Sequence, residues 1–402
     1  MSLWIERQEV TGPALHALII GVSDYARLPA TSDEFPPIDT VTLGLTKLKT
    51  PAAGAFRVAK WLASERCWHP TVKVKTIRLL LSPSTEEQEK ELGGLAEMPP
   101  RATAENVQRA VDDWKKSCKN NRDGVALLYV AGHGILWDTT YESVILLEDF
   151  GSPNRFLNQT IDVERTRRGM MGPGLPATQY YFADACKVNP DEVGRWPADL
   201  TPGTPIYLAE PKNSAVICAP LYSAAYPGQT AKGYRGEGTY FAQALVECLE
   251  GYAWTPPNSA PKQEIEKYFR ITPGGLAESL QERITEIAGR HEEDQTILVG
   301  EYPPRLGVLS AIEGHPVAPF ILRVDPDSAA QGTDAELYDE KGEPVFPGES
   351  KKRSCYPPPL KEENVRVGAH SLTVSPVAPL KPDRRSVVVR PYEGWSGTIT
   401  LR

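Results

Sequence analysis

Over the first 300 residues the chain alternates short apolar runs with longer segments whose apolar residues recur three and four apart. The runs predict strands and the longer segments predict helices. Residues 16–22 (HALIIGV) are apolar at almost every position, which predicts a strand buried on both faces. Residues 52–64 (AAGAFRVAKWLAS) follow with helical spacing at Phe56, Ala59 and Leu62. Residues 72–81 alternate as a second strand, and residues 103–117 predict a helix with Thr103 as N-cap and Val107, Ala110, Val111 and Trp114 on one face. Further strands are expected at 125–131 (VALLYVA), 143–147, 178–183 (TQYYFA), 215–219 (AVICA) and 295–299, with helices at 239–249 and 276–288. Strands alternating with helices make this an α/β fold: a mostly parallel sheet with helices on both faces, in three layers.

Two stretches break that texture. Residues 187–214 are rich in proline and lack periodicity, and so long an irregular segment inside a compact domain is usually functional. From about residue 303, proline, glycine and short alternating runs (FILRV, SLTV, SVVV, TITL) predict a small β-rich domain. The expected division is therefore 1–302 and 303–402.

Composition changes this picture little. With 402 residues the chain can bury a large core and a smaller second one, and its formal net charge of -8 argues against nucleic acid or an anionic membrane as main partner. Residues 341–402 nevertheless carry eleven basic and six acidic side chains, so a basic tail follows an acidic body. Six cysteines, at 67, 118, 186, 218, 248 and 355, form no CxxC pair, which fits neither a disulfide framework nor a zinc site. No acidic loop has calcium-ligand spacing, so neither metal nor cofactor is expected. The N-terminal residues lack a signal pattern, and the longest apolar stretch, 15–22, is too short to span a bilayer. Reduced thiols in a cytoplasm are the expectation.

The candidate chemistry sits at two strand ends. VALLYVA runs into Gly132-His133-Gly134, and TQYYFA runs into Asp184-Ala185-Cys186. In open α/β sheets reactive groups gather beyond the carboxyl ends of the strands. If these two strands are adjacent and parallel, His133 and Cys186 meet. A free thiol is only slightly ionised at neutral pH; an adjacent imidazole can take its proton and later protonate a leaving amine. Glycines on both sides of His133 leave room for a substrate backbone, and the N–H groups of Gly134 and Cys186 are candidate oxyanion donors.

The first 300 residues resemble caspases, and more closely the bacterial caspase-like, metacaspase and orthocaspase group. The resemblance is carried by HALIIGV, AAGAFRVAKWLAS, LLYVAGHG, YYFADAC and the block CAPLYSAAYPGQTAKGYRGEGTYFAQALVECLEG. The order and the 53-residue spacing of His133 and Cys186 also match the caspase pattern. The resemblance implies a cysteine endopeptidase acting on protein or peptide substrates, with Cys186 as nucleophile and His133 as acid–base partner. Caspases carry Gln-Ala-Cys and bind aspartate with arginines, whereas this chain has Asp184-Ala185-Cys186-Lys187-Val188 and no placeable arginine pair. Metacaspase-like enzymes use an acidic residue two before the cysteine, which maps onto Asp184. Positions two apart on a strand share a face, so Asp184 is expected to bind an Arg or Lys side chain of the substrate. Asp24, just past the first strand, is a second candidate for that pocket.

The resemblance also makes 187–214 an activation or intersubunit loop. Self-cleavage is then expected at Lys187, Arg195 or Lys212, or at an exposed Lys351-Lys352-Arg353 segment. It further implies a stress or antiviral-defence effector switched on by a partner protein. The β-rich tail lies outside the resemblance, and three roles stay open for it: recognising substrate, docking such an activator, or holding the enzyme inactive. Three alternatives stay open: a catalytically silent regulatory protein of the same fold, an aspartate-specific peptidase, and another cysteine-nucleophile enzyme such as a transpeptidase or a separase-like peptidase.

Overall fold

The computed structural model describes residues 2–136, 143–152, 156–189, 202–203, 216–300, 307–312, 314–339, 341–348, 350–389 and 394–401. The chain divides into two compact units, Met1–Leu249 with Arg270–Ala311, and Glu250–Phe269 with Ile312–Arg402. By contacts this division falls near residue 311. Residues 250–269, expected inside the larger domain, group with the smaller one.

In the first unit the strands are β1 (Leu3–Glu6), β2 (Ala14–Val22), β3 (Lys73–Ser82), β4 (Val125–Gly132), β8 (Thr178–Ala185), β9 (Leu221–Ser223) and β10 (Leu298–Val299), ordered β1-β3-β2-β4-β8-β9-β10 across one sheet. Strands β3, β2, β4, β8 and β9 are parallel; β1 and β10 close the two edges antiparallel. A small antiparallel sheet of β5 (Gly134–Leu136), β6 (Ser143–Leu146) and β7 (Thr160–Asp162) grows out of the end of β4. The helices are α1 (Pro51–Ala63), α2 (Ala104–Cys118), α3 (Val163–Gly169), α4 (Tyr240–Glu247) and α5 (Pro273–Gly289).

The unbroken apolar run of β2 is explained by layers on both sides. Leu18, Ile20 and Val22 share a core cluster with Val107, Ala110, Val111 and Trp114 of α2. The alternate positions face α1, where Gly21 lies so close that a Cβ there would stand 2.6 Å from the Ala55 Cβ and 2.8 Å from the Ala52 Cα. Both helices start where the sequence marks them. Thr103 caps α2 by accepting the Asn106 N–H, and Pro51 opens α1, where its missing N–H costs nothing.

Two predicted strands differ. Among the described residues of AVICA, Cys218 alone bridges to β8, and the strand proper starts at Leu221. Pro220 lies between them; its carbonyl accepts the Tyr181 N–H, but it has no N–H to carry the ladder onward. At the other edge the strand shrinks to Leu298–Val299, and the Gln281 side chain takes backbone groups just before it. Its Oε1 accepts the Ile297 N–H at 2.9 Å and its Nε2 donates to the Gln295 carbonyl at 3.3 Å.

The second unit is a sandwich. Strands β11 (Val317–Asp325), β14 (Leu360–Arg366) and β17 (Trp395–Thr400) form one sheet, ordered β14-β11-β17. Strands β12 (Asp334–Tyr338), β13 (Lys352–Ser354), β15 (Gly368–Ser375) and β16 (Asp383–Val389) form the other, ordered β13-β12-β15-β16. Along β11 every second residue (Ala318, Phe320, Leu322, Val324) is buried against Leu337, Leu372, Val374 and Val387, the alternation of a sheet with one wet face. Arg353, expected as an exposed cleavage point, lies in β13 with its guanidinium on Glu362 and on the carbonyls of Pro347 and Ser350. A paired strand with an anchored side chain does not present an extended peptide to a protease.

The α1–β2 contact gives a direct test of the layer packing. Gly21→Val should destabilise the protein by about 1–3 kcal/mol, because a packed helix backbone cannot retreat. A parent-like denaturant midpoint would contradict the close approach.

Candidate active site

The 53-residue spacing of His133 and Cys186 is the register of the sheet. β4 and β8 pair in parallel from Val125 opposite Thr178 to Gly132 opposite Ala185. The same offset persists beyond both strands: Ile135 bridges Val188, and the Leu136 N–H donates to the Val188 carbonyl at 2.8 Å. His133 and Cys186 therefore occupy matching places on strands spaced about 4.8 Å apart. The glycine after the histidine is a packing requirement, since a Cβ on Gly134 would overlap the Cys186 carbonyl oxygen.

His133 is held at three points. Its N–H donates to the Tyr25 Oη at 2.7 Å, its carbonyl accepts the Leu146 N–H at 2.9 Å, and its Nε2 lies 2.6 Å from the Thr46 carbonyl oxygen. A carbonyl can only accept, so Nε2 carries the hydrogen and Nδ1 keeps the lone pair. The Tyr25 ring lies against the imidazole, centroids 5.1 Å apart. Burial lowers the imidazole pKa to about 4, with the Thr46 hydrogen bond opposing the shift, so His133 is a neutral base at pH 7.

Cys186 is half-buried, and its thiol donates to the Ala231 carbonyl at 3.7 Å. Burial raises the thiol pKa, and the nearby Asp184 carboxylate adds to the shift. Both shifts favour a neutral thiol beside a neutral imidazole over a thiolate–imidazolium pair.

Asp184 is 2% exposed. Its Oδ2 accepts the Tyr129 hydroxyl at 2.5 Å and the Thr239 hydroxyl, while the equally buried Oδ1 has no partner among the described residues. Burial raises its pKa to about 6, against the two hydroxyls. Asp24 is placed differently from its expected role as a pocket carboxylate. Its Oδ1 lies 2.8 Å from the Lys47 ammonium and its Oδ2 2.6 Å from the Arg101 guanidinium, so both oxygens are already paired. Arg195 and Lys212 lie outside the described residues. Lys187 is buried at 3% exposure, which removes it from the surface a second protease molecule could reach.

Sequence reasoning missed Tyr25, Thr46, Tyr129, Ala231 and Thr239. Tyr129 carried a usable signal, because it shares the parity of His133 along one strand. Thr46 and Ala231 act through backbone carbonyls, which leave no trace in residue type.

An open α/β sheet with a cysteine and a histidine side by side at adjacent carboxyl strand ends defines a class of cysteine peptidase. The caspase-domain profile matches residues 14–279, about two-thirds of the chain, and the chain belongs to that family. Among solved structures, caspase-1 from Spodoptera frugiperda is similar at 12% identity and a TM-score of 0.38, over 73% of this chain and 93% of that one. A search of curated proteins finds no match.

The electrostatics of the resting pair can be read chemically. Alkylation of Cys186 by iodoacetamide should be slow at pH 7 and rise with a midpoint above about 8.5. A rate already on its plateau at pH 7 would show a pre-formed thiolate and sink this description.

Proposed function

We propose that the chain is a cysteine endopeptidase that cleaves proteins after Arg or Lys. The observation that carries the reading is one face of β8: Asp184, with a buried oxygen left unpaired, two residues before a cysteine in register with a neutral histidine. A lone buried carboxylate oxygen is costly, and a guanidinium or ammonium from the substrate would satisfy it.

In this reading the Nδ1 of His133 takes the thiol proton as Sγ attacks the scissile carbonyl. The N–H groups of Gly134 and Cys186 receive the oxyanion. The Nδ1–H then protonates the leaving amine, the C–N bond breaks, and a thioester on Cys186 remains. His133 next removes a proton from water, which hydrolyses the thioester and returns the thiol. Thr46 stabilises the transient imidazolium, since its carbonyl faces the opposite N–H. The six unpaired cysteines are in keeping with a reducing compartment such as the cytoplasm. Activation by a partner and a role in stress or antiviral defence rest on the family resemblance alone, which does not extend to the sandwich strands of the β-rich unit.

Fluorogenic peptides ending in Arg, Lys and Asp test the assignment. Turnover should be confined to Arg and Lys, and preference for Asp would refute the acidic pocket. Cys186→Ala should lower kcat by about 10³-fold or more and His133→Ala by about 10²–10⁴-fold, with the fold intact. Parent-like activity in the Cys186 variant would remove the central claim.

The raised pKa of Asp184 adds a pH signature. A basic side chain binds the ionised carboxylate, so kcat/KM for Arg peptides should fall as pH drops through about 6, while His133 stays neutral until about 4. The stability sign is opposite to that of a paired carboxylate. The folded pKa lies above the unfolded one, so the native state binds the extra proton between about pH 4 and 6, and ionisation above 6 costs stability. Stability of Asp184→Asn relative to the parent should therefore improve from pH 4 to pH 8, by roughly 2 kcal/mol, as cleavage after Arg is lost. A pH-independent difference would place the ionised carboxylate in a satisfied site.

A further inference from the structure

We infer that Asp24 and Lys47 are positioning residues for the general base: their ion pair fixes the peptide plane whose carbonyl holds the Nε2–H of His133. The inference rests on the peptidase reading above for its kinetic consequence, but not for its geometry.

The Thr46 carbonyl and the Lys47 N–H belong to one peptide unit. Its oxygen accepts from Nε2 at 2.6 Å, and its N–H donates to the Pro29 carbonyl at 2.9 Å. A trans peptide points these groups in opposite directions, so Pro29, the 46–47 peptide and His133 form one hydrogen-bonded line whose members polarise one another. The plane lies in an irregular segment, 41–48, which no helix or strand holds in place. The next amide, Leu48 N–H, donates to the Ser23 carbonyl at 2.8 Å, and the Lys47 side chain reaches Asp24.

Asp24 is well placed as an anchor because it is itself fixed to the sheet. Its N–H donates to the Ser82 carbonyl at the end of β3, at 2.9 Å. Arg101 bridges it to Glu148 at 2.6 Å on each side, and the second oxygen of Glu148 accepts the Ser82 hydroxyl at 2.8 Å. Tyr25, the next residue, receives the His133 N–H. One short stretch after β2 thus locates the imidazole twice: directly through Tyr25, and through Asp24, Lys47 and the 46–47 peptide. Releasing the peptide would let the ring turn and admit the Nδ1–H tautomer, which cannot take the thiol proton.

The pair is partly exposed, with side-chain exposure of 36% for Lys47 and 26% for Asp24, so a graded loss is expected rather than an abolished activity. Lys47→Met should lower kcat about three- to tenfold with KM unchanged, and Lys47→Arg should restore it. Asp24→Asn should cause a similar fall, equal for Arg and Lys peptides, and the double variant should be no slower than the worse single one. In the resting enzyme labelled with ¹⁵N-histidine, the hydrogen-bonded Nε2–H signal of His133, assigned with His133→Ala, should weaken or shift in Lys47→Met and not in Lys47→Arg. Unchanged kcat and signal in Lys47→Met and Asp24→Asn would overturn the inference. So would a loss in Asp24→Asn confined to KM for basic peptides, which would return Asp24 to the substrate pocket. If the parent cleaves no peptide, the peptidase reading fails, and the histidine signal still decides the clamp.

Discussion

The in-register parallel pairing of β4 with β8 is the constraint on which the rest of the site depends. Because the offset is constant, the last paired residues, Gly132 and Ala185, hand His133 and Cys186 to each other without any specialised turn. The bridge between Ile135 and Val188 keeps the two chains together after the catalytic positions, so neither end frays at the place where chemistry is proposed. A slip of one residue would send His133 to the opposite face. With both faces buried, it is the close fit of each face that opposes such a slip, since large and small side chains would exchange walls.

Burial then sets the protonation states, and it acts on all three groups in the same sense. It favours the neutral imidazole, the neutral thiol and the protonated Asp184, because each charged form would lose its water. At pH 7 the imidazole and the thiol are consequently neutral, while Asp184, with a pKa of about 6, is largely ionised. The proposed reaction uses the substrate to receive charge: a cation for Asp184 and a carbonyl that becomes an oxyanion. The hydrogen bonds that favour the charged forms (Thr46 to His133, Tyr129 and Thr239 to Asp184) come from groups already fixed by the fold, so little reorganisation is needed when charge appears.

Most of the frame was legible in the sequence because hydrophobic periodicity reports burial, and burial is what the sheet is made of. The strands at β2, β3, β4 and β8, the helices α1 and α2 and the Thr103 cap all follow from it. Where strands were misplaced, particular groups are involved: the missing N–H of Pro220, and the side-chain amide of Gln281 on the backbone of 295–297. The candidate pair could be read from residue type and spacing, but its orienting groups could not. Thr46, Pro29 and Ala231 contribute carbonyl oxygens that every residue possesses. Only the tertiary path of the chain distinguishes these from the others.

The two carboxylates that sequence reasoning assigned to one pocket show how pairing, rather than acidity, decides which can bind a cation. Asp24 is more accessible, yet each of its oxygens already faces a positive charge, and both cations hold its pKa below the ordinary carboxylate value although burial works against them. A substrate guanidinium arriving there would have to displace Lys47 or Arg101, exchanging one ion pair for another at little net gain. Among the described residues Asp184 has only hydroxyl partners, both on Oδ2, and no cation. An arriving cation would add a charge-assisted bond without breaking one and would also remove the cost of a buried unpaired oxygen. The same argument explains why a fold would keep such an oxygen. An unpaired buried acceptor lowers stability in the empty protein, and in the proposed reading that deficit would be recovered on binding a basic side chain. The half-satisfied carboxylate is therefore the better pocket floor, and the saturated one the better anchor.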